Sequence, residues 1–403
     1  LTADADLIAA FEVLGQKWTG IILHTLATRP ARYGELHTAI GAVSTKMLAD
    51  RLRELIESGL VTDDRLPPGP ATYTLTYGPG AEPTELMATY YTQRAGAGLI
   101  VSESTQPSPV GQGYPDTPGL HTPGQVRAWR TVTDAVHREG GVIFAQLMHA
   151  GRISHPNLLP DGLEPMGPSA VAANGQIYTH EGRKDLAAPR ELTEAEIRQT
   201  IADFADSARN AIEAGFDGVE LHGANGYLIH QFLAPNSNLR TDAWGGDTEG
   251  RIRFAVEVTA AVTEAIGSDR VGLRISPGNP FNDMSEDNLG DVYGALLERL
   301  AGLDLAYLHL MEGPDRDLTA HLRKAWSGTF ILNPFTHPDP TGPDALRLIE
   351  DGSADMIAYG ALFLANPDLP RRLASGGPFN TPDPTTFYGG DHRGYTDYPT
   401  LPA

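Results

Sequence analysis

Seven short apolar runs recur along the chain after residue 80. Apolar and polar residues do not alternate strictly within these runs, which is typical of strands in a parallel sheet that is covered on both faces. The predicted strands are Leu99–Ser102, Val142–Leu147, Gly218–Leu221, Val271–Ile275, Ala306–Leu310, Phe330–Leu332 and Met356–Tyr359. The pattern therefore predicts a parallel sheet at the centre of this part of the chain.

Amphipathic helices are predicted between these strands. The clearest begins after Thr193, which has the spacing of a capping box with Glu196, and it ends at Gly215. The order helix, glycine, aspartate and strand occurs four times, at 215–217, 267–269, 302–304 and 352–355. A repeated βα unit predicts an α/β protein, either a doubly wound sheet or a TIM (β/α)8 barrel.

Polar residues follow several predicted strands at their C-terminal ends, where barrel enzymes place their chemistry. These residues are Gln146, His222, Arg274 and Asn333. No G-x-G-x-x-G sequence opens a helix after a strand, which argues against a dinucleotide-binding sheet. The barrel is therefore the favoured architecture for residues 81–403.

Residues 1–80 have a different pattern, in which short helices precede two short strands. One helix is predicted at about Tyr33 to Ile40, and Ser44 is a predicted N-cap that opens the next. The apolar stripe of that next helix consists of Leu48, Leu52, Leu55 and Ile56. The strands are predicted at Leu60–Leu66 and Thr72–Thr76. This order predicts a small winged helix-turn-helix domain over residues 1–80.

Three stretches of this segment carry a family resemblance, at 13–18, 32–36 and 48–61. Through them the segment resembles the winged-helix transcriptional regulators of the HxlR type. The resemblance implies that the helix opened by Ser44 enters the major groove of DNA. The candidates for DNA contacts are Thr45, Lys46, Arg51 and Arg53. The alternative is a structural module that binds no DNA.

The predicted barrel lacks one strand. A (β/α)8 barrel has eight strands, and the only candidate for the eighth is Thr72–Thr76, which is also the second strand of the predicted wing. One strand cannot serve both domains fully. We therefore expect either an incomplete wing or a barrel that is open at its first seam, with unpaired backbone groups there.

Charge and composition exclude several classes of protein. The net charge of −21 repels nucleic acid and anionic membranes overall, although residues 1–80 carry only −2 of it. The chain has no cysteine, which excludes disulfides, thiolate nucleophiles and Cys-ligated metal sites. No apolar run approaches the length of a membrane span. We expect a soluble, cytoplasmic protein without a membrane partner.

The sequence His222-Gly-Ala-Asn225-Gly-Tyr227 directly follows a predicted strand. Further ordered motifs lie at 90–95, 111–119, 149–155, 237–242, 366–370 and 394–399. Through this set the chain closely resembles the old yellow enzyme family of FMN-dependent ene-reductases, from about residue 82 to residue 403. The resemblance implies hydride transfer from reduced FMN to an activated alkene, with NADPH or NADH as the reductant.

The resemblance also implies roles for individual residues. His222 and Asn225 would hydrogen-bond the carbonyl or nitro oxygen of the substrate and stabilise the charge that builds there. Tyr227 would give a proton to the α-carbon as the general acid. Gln146 and Arg274 would contact the flavin ring, and Arg274 would favour its reduced form.

Other positions follow from the same resemblance. Phe281 and Tyr388 would line the substrate pocket. Asn333, Gly360 and Ala361 would lie at the phosphate end of FMN, with backbone N–H groups near Gly360 as phosphate donors, and Thr76 would replace the family's first-strand flavin contact. The histidines fit no metal-ligand pattern such as H-E-x-x-H, so no metal is expected.

Three departures from the family pattern bear on this interpretation. The family's first strand and its arginine are missing near Thr76, and the phosphate end lacks an arginine and two glycines near Asn333 and Gly360. Met148 stands where many relatives have tryptophan beside the flavin. The first departure bears on whether the barrel holds FMN, and the others bear on affinity and specificity.

We predict an FMN-dependent NAD(P)H oxidoreductase that reduces enones, enals and nitroalkenes. Its expected substrate is a small α,β-unsaturated molecule. DNA is a second candidate partner, through residues 1–80. A homodimer is the candidate oligomeric state. Two alternatives stay open. One is a DNA-binding transcriptional regulator whose barrel senses flavin or an electrophile. The other is an inactive fusion whose barrel cannot hold FMN.

Overall fold

The computed structural model describes residues 81–179, 181–387 and 392–402. Within the first 80 residues it describes positions 22, 26, 31–40, 47, 48, 51, 52, 55, 62–64 and 72–74. The backbone groups into two compact units, Leu1–Gly78 with Pro382–Tyr398, and Pro79–Thr381 with Pro399–Ala403. The assignment of separate domains to 1–80 and 81–403 stays a prediction.

The larger unit is built on one parallel sheet of seven strands. They are β1 (Ile100–Thr105), β2 (Ile143–Leu147), β3 (Gly218–Gly223), β4 (Val271–Ile275), β5 (Tyr307–Met311), β6 (Phe330–Asn333) and β7 (Met356–Ile357). Each strand pairs in parallel with the next one along the chain, so the sheet order is the sequence order. All seven predicted strands are confirmed, with ends that shift by at most three residues, and the parallel βα order is that of a TIM barrel.

Helices alternate with these strands along the chain. They are α1 (Glu85–Gln93), α2 (Pro123–Arg138), α3 (Glu194–Glu213), α4 (Leu228–Leu233), α5 (Thr248–Ile266), α6 (Leu289–Leu300), α7 (Arg316–Ala325), α8 (Arg347–Glu350), α9 (Ala361–Ala365) and α10 (Leu369–Ser375). The predicted cap of α3 is confirmed, because Thr193 Oγ1 accepts from the Glu196 N–H at 3.3 Å and Glu196 Oε2 accepts from the Thr193 N–H at 2.9 Å. After α3, Gly215 has a φ of 91°, a left-handed conformation that favours glycine.

Short strands extend the loop between β2 and α3. Gln176–Thr179 and Gly182–Asp185 form an antiparallel hairpin, and Met166–Gly167 pairs with Arg190–Glu191. Ile177 of the hairpin packs with Tyr227 in one buried apolar cluster. The hairpin is therefore anchored beside the C-terminal end of β3.

The two end strands of the sheet approach each other at their N-terminal ends. Leu99, which precedes β1, and Met356 of β7 pack on the same apolar cluster of Phe144, Tyr307 and Ile331. The sheet therefore curls around an apolar floor. In the described residues β1 and β7 are the ends of the hydrogen-bonded order, β1 has a register shift between Val101 and Ser104, and β7 has two residues.

An arginine links the helices that flank those end strands. Arg94, at the C-terminal end of α1, donates from Nε to the Phe363 carbonyl at 3.2 Å and from Nη2 to the Leu364 carbonyl at 2.6 Å. Both carbonyls belong to the last turn of α9, and the Phe363 carbonyl also accepts from the Asn366 N–H at 3.3 Å. Arg94 is 2% exposed. Its hydrogen bonds to α9 join the beginning and the end of the larger unit.

The first unit contains the predicted helix and a three-stranded antiparallel sheet. The helix is Tyr33–Ile40, as predicted. Thr72–Thr74 lies in the middle of the sheet, between Ala31–Arg32 and Thr62–Asp64. This result resolves the conflict over Thr72–Thr76, because its described part pairs within the wing and, in the described residues, not with β1 or β7.

Three leucines of the predicted apolar stripe are buried in this unit. Leu48, Leu52 and Leu55 are helical and at most 2% exposed, and so the stripe is confirmed at these positions. Thr45, Lys46, Arg53, Ile56 and Thr76 lie outside the described residues. No helix in the described parts of the chain is long and apolar enough to cross a membrane.

Candidate active site

Strand β3 carries the first polar residues of the site. Successive side chains of a strand point to opposite faces, and Glu220 and His222 therefore share one face while Val219 and Leu221 point the other way. All four are buried, at 5% exposure or less. Glu220 contacts Gln146 of β2 and His309 of β5. These contacts place its face of β3, which His222 shares, in the interior of the curled sheet.

A sharp turn after β3 aims the next residues of the site. Asn225 and Gly226 both have left-handed backbone conformations, with φ of 55° and 78°. The Asn225 N–H donates to Ser276 Oγ at 2.8 Å, which ties the turn to the end of β4. A Cβ atom at residue 226 would lie 2.7 Å from the Asn282 Cβ, so only glycine fits. The turn ends at Tyr227, the N-cap of α4.

Tyr227 lies next to one predicted and one unpredicted partner. Its ring meets the His222 ring edge-on, with centroids 5.0 Å apart. Its hydroxyl is 3.0 Å from the hydroxyl of Tyr114, in a hydrogen bond that either oxygen can donate. Tyr114 had not been predicted as a site residue. Its place in the 111–119 motif was the available signal.

The site offers two hydrogen-bond donors three residues apart. Asn225 Oδ1 accepts from Asn279 Nδ2 at 3.1 Å, which leaves the Asn225 amide nitrogen to donate to a ligand. Burial, followed by the positive charge of Arg274, lowers the pKa of His222 to about 3, so its ring is neutral near pH 7. Within the part of the chain that the structure describes, Nδ1 of His222 is buried without a hydrogen-bond partner.

A chain of buried and partly buried polar side chains crosses the interior of the sheet. Gln146 Nε2 donates to Glu220 Oε1 at 2.7 Å, and Ser104 donates to Gln146 Oε1. His309 Nδ1 lies 2.8 Å from Glu220 Oε2. Strands β1, β2, β3 and β5 therefore meet in one hydrogen-bonded network.

Arg274 continues this network towards β6. One guanidinium nitrogen, Nη1, contacts the His309 ring, and the other, Nη2, donates to Asn333 Oδ1 at 3.1 Å. Burial alone would raise the pKa of Glu220, but its interactions with His309 and Arg274 hold it at about 2. Burial, and then the charge of Arg274, lowers the pKa of His309. The network thus holds one negative carboxylate and one positive guanidinium.

The predicted cofactor residues Gln146, Arg274 and Asn333 are therefore brought together. Glu220 and His309, which connect them, had not been predicted. Of the two, Glu220 was easier to predict from the sequence, because it lies two residues before His222 and must share the same face of the strand. His309 lies 35 residues beyond Arg274, and no local motif marks it.

The predicted phosphate end lies at the start of α9. The Gly360 carbonyl accepts from the Phe363 and Leu364 N–H groups, both at 2.9 Å, and the helix begins at Ala361. A Cβ at Gly360 would meet no atom within 4 Å, so the backbone there faces open space. The roles of Gly360 and Ala361 stay predictions.

Phe281 lies in the loop after β4 and is 56% exposed. Asn282 Nδ2 of this loop donates to the Asn225 carbonyl at 2.8 Å, and buried Arg152 donates to the Asp283 carbonyl at 2.8 Å. The loop that carries Phe281 is therefore fastened to the turn that carries Asn225. Tyr388, the other predicted pocket residue, lies outside the described residues.

Two family models match this chain. The model of the NADH:flavin oxidoreductase / NADH oxidase family matches residues 60–380, and that of the HxlR-like helix-turn-helix family matches residues 13–87. The matches overlap over 60–87, the stretch that contains Thr72–Thr74. Both family models therefore include the strand for which the sequence predicted two alternative places, in the wing and in the barrel.

Several known proteins are similar over most of their length. 12-Oxophytodienoate reductase 1 of Oryza sativa subsp. japonica is 43% identical over 346 residues, covering 82% of this chain and 88% of that protein. A probable flavin mononucleotide-dependent alkene reductase of Leishmania infantum is 41% identical, covering 79% and 89%. The structure of morphinone reductase in complex with tetrahydroNAD superposes with a TM-score of 0.77 at 40% identity, covering 81% and 91%.

Proposed function

This chain belongs to the old yellow enzyme family of NADH:flavin oxidoreductases, and from that premise we propose that His222, Asn225 and Tyr227 are the catalytic residues of an alkene reductase. The cofactor is FMN and the reductant is NAD(P)H. The observation that carries the assignment of residues is the turn after β3. The Tyr227 ring at the end of this turn lies 5.0 Å from the His222 ring, and the contact from Asn279 leaves the Asn225 amide nitrogen to donate.

The residues present fit FMN. The interior of the sheet holds an amide at Gln146, a guanidinium at Arg274 and an amide at Asn333, the donor types that recognise a flavin ring and its polar tail. Gln146 has a second Nε2 hydrogen beyond the one that it donates to Glu220. The buried Nδ1 of His222, which has no partner in the described residues, is a polar atom that a bound molecule would satisfy.

Gln146 and Arg274 would hold the ring of FMN, and Asn333, Gly360 and Ala361 would hold its phosphate end. When bound, FMN would supply the β-carbon of the alkene with a hydride that comes from NAD(P)H. We assign the substrate class to small alkenes activated by a carbonyl or nitro group, because the two donors need an oxygen on which negative charge builds.

His222 and Asn225 stabilise that charge. Each donates a hydrogen bond to the substrate oxygen, and such preorganised donors in a buried site are effective because they need no reorganisation during the reaction. A neutral His222 suits this role. An imidazolium would attract the substrate oxygen with its full positive charge before hydride transfer, when negative charge has not yet built on that oxygen. The low pKa of His222, about 3, keeps the ring neutral throughout the physiological range.

Tyr227 completes the addition. Its O–H gives a proton to the α-carbon while the hydride joins the β-carbon, so the double bond becomes a saturated bond and a phenolate remains. Tyr114, whose hydroxyl lies 3.0 Å away, donates a hydrogen bond to that phenolate until it regains a proton from water. Tyr114 therefore supports the general acid through this hydrogen bond.

The first test is the visible absorption spectrum of the full-length protein with and without added FMN. We expect bound oxidised flavin that NADPH bleaches without oxygen and that an enone restores. A protein that stays colourless after added FMN is removed by gel filtration would contradict the enzyme assignment for this chain. The same outcome would favour the inactive fusion.

For the first unit we propose an HxlR-like winged helix that binds DNA. The support is the family match over residues 13–87, the helix Tyr33–Ile40, the wing strands and the buried leucines 48, 52 and 55. The predicted contacts are Thr45, Lys46, Arg51 and Arg53. A homodimer and a cytoplasmic location also remain proposals.

DNA binding is tested by selection from a random duplex library with the full chain. We expect an enriched inverted repeat whose affinity falls steeply with salt, and a weaker affinity for Lys46→Ala. If no sequence is enriched, the unit is a structural module.

A further inference from the structure

Three charged or titratable side chains, two of them buried and one partly buried, come together from three strands of the sheet. Glu220 of β3 is 0% exposed, His309 of β5 is 4% exposed, and Arg274 lies on β4 between them. Arg274 is registered beside His309 in the β4–β5 pairing. The carboxylate of Glu220 contacts the imidazole of His309, and that imidazole contacts the guanidinium of Arg274.

The hydrogens of this triad follow from the chemistry of its members. A guanidinium has donors but no acceptor, and an ionised carboxylate has acceptors but no donor. His309 must therefore accept from Arg274 with Nε2 and donate to Glu220 with Nδ1–H, over 2.8 Å in the second contact. This ring is neutral and joins a positive to a negative charge.

The contacts of Arg274 with His309 and with Asn333, a residue outside the triad, fix the plane of the guanidinium. Arg274 Nη1 is held by His309 and Nη2 by Asn333 at 3.1 Å, and two bonds to different nitrogens define the plane of a rigid group. The remaining N–H groups of Arg274 then point in set directions. One of its neighbours on β3, in register, is His222.

We propose that Glu220 and His309 are positioning residues for Arg274, which orient its guanidinium towards the flavin and offset its charge, and so set how strongly the site favours reduced FMN. The inference rests on the proposed function. A positive charge beside the ring favours the electron-rich reduced form, and a buried negative charge behind it weakens that preference because the interior screens charges poorly.

The chain offers a matched control for the carboxylate. Glu286 is likewise buried and lies with Oε2 3.0 Å from Nε2 of His230, whose Nδ1 accepts from the Gly226 N–H at 3.0 Å. Its other described partners are Gly278 and Tyr293, and no hydrogen bond or ion pair among the described residues joins it to Arg274. Glu286→Gln therefore removes the same buried charge from a histidine pair outside the triad.

The test is the midpoint potential of bound FMN in the full-length wild-type protein, Glu220→Gln and Glu286→Gln. We expect Glu220→Gln to shift the ratio of reduced to oxidised flavin at least tenfold towards reduced, about 30 mV for a two-electron couple. Glu286→Gln should shift the ratio less than twofold. Equal potentials in all three proteins, each with FMN bound, would overturn the inference. A wild-type protein that binds no FMN would instead contradict the proposed function.

A second measurement covers the case in which Glu220→Gln fails to fold. The ¹⁵N spectrum of the wild-type FMN-bound protein, with the His309 signals assigned by their loss in His309→Gln, reports the protons on the ring. We expect a neutral ring with Nδ1–H and a bare Nε2 from about pH 5 to about pH 8, a range in which an ordinary histidine titrates. An imidazolium, or the opposite tautomer, would overturn the charge arrangement.

Discussion

The Tyr227 hydroxyl is the proton donor in the proposed addition. Replacement by Phe keeps the ring against His222 and removes the oxygen that lies 3.0 Å from Tyr114. We expect the reoxidation of reduced FMN by an enone to slow by about 10²–10⁴-fold, because the general acid is lost. Anaerobic reduction by NADPH should keep its rate, since it needs no proton from Tyr227.

Stopped-flow absorbance separates the two half-reactions in the Tyr227→Phe protein. Tyr178→Phe is the matched control, because Tyr178 is 59% exposed in the 176–185 hairpin. An unchanged reoxidation rate in Tyr227→Phe would assign the proton to another group, with Tyr114 the first candidate.

His222 makes a prediction about pH. An ordinary histidine gains charge near pH 6.5, whereas burial and Arg274 lower the pKa of His222 to about 3. The hydrogen-bond donor to the substrate oxygen therefore keeps one protonation state from about pH 5 to about pH 8. We expect the affinity of the oxidised FMN-bound protein for an enone, measured from the change in flavin absorbance, to show no break near pH 6.5.

His222→Asn tests whether that flat profile belongs to His222. The asparagine retains a donor that cannot titrate, so its profile should have the same shape at lower affinity. A break near pH 6.5 in the wild type that His222→Asn abolishes would show that the ring takes up a proton and would contradict the neutral assignment.

At the scale of elements, Arg94 links α1 to α9. Its guanidinium donates to the carbonyls of Phe363 and Leu364 from two nitrogens. A lysine is a single point charge and cannot reproduce this two-pronged contact. We expect Arg94→Lys to lower the free energy of unfolding by about 1–3 kcal/mol, the cost of leaving one buried carbonyl without its donor.

Urea unfolding followed by circular dichroism measures the effect of Arg94→Lys. Arg198→Lys is the control, since Arg198 forms an exposed i,i+4 pair with Glu194, and such pairs contribute little. Equal midpoints for Arg94→Lys and the wild type would show that the two-pronged contact of Arg94 adds nothing to stability beyond what a single ammonium group supplies.

The elements were predictable where the signal is local. A buried strand is marked by a short run of mainly apolar residues, and the cap of α3 needs only Thr193 and Glu196, three residues apart. The third strand of the wing, Ala31–Arg32, has no such run and is defined by its pairing with Thr72–Thr74. Pairing across 40 residues of chain leaves no local trace.

The site was predictable to the same extent. His222, Asn225 and Tyr227 lie within one turn and could be found together, whereas the Tyr114–Tyr227 and Glu220–His309 contacts join residues 113 and 89 apart. These contacts depend on how β1 to β5 are registered. The sequence shows that Arg274 and Gln146 are polar and near strand ends, and only the fold shows what connects them.

At the scale of the whole molecule, buried histidines couple stability to pH. Burial lowers the pKa of His149 to about 4 and of His222 to about 3, and it also lowers that of His309. Unfolded histidines bind protons near pH 6.5, so below this pH the unfolded chain holds more protons than the folded one. Their contribution to stability is present above about pH 6.5 and is lost as the pH falls below it.

Glu103 opposes this trend. Burial raises its pKa to about 7, and the folded chain therefore keeps its proton from about pH 7 down to about pH 4.5, which adds stability on acidification. The protons that the three histidines bind in the unfolded chain outnumber the one that Glu103 binds in the folded chain. We expect the free energy of unfolding to fall on acidification from about pH 6.5 to about pH 5, by about 1.4 kcal/mol per pH unit for each net proton.

Urea unfolding at several pH values checks this expectation, and His149→Gln supplies the comparison. Removing one buried histidine should make the dependence shallower by about one proton. A free energy of unfolding that stays constant or rises from about pH 6.5 to about pH 5 would mean that the histidines are solvated enough to titrate normally.

The ends of the sheet have a consequence for the behaviour of the protein in concentrated solution. A long, regular edge strand presents a row of N–H and C=O groups that other chains can extend, and this is a common route to aggregation. Here β1 is interrupted by the shift between Val101 and Ser104, and β7 offers two residues. An interrupted edge and a very short one are poor templates for strand addition. The curled sheet is therefore protected against self-association into fibrils at both of its described ends.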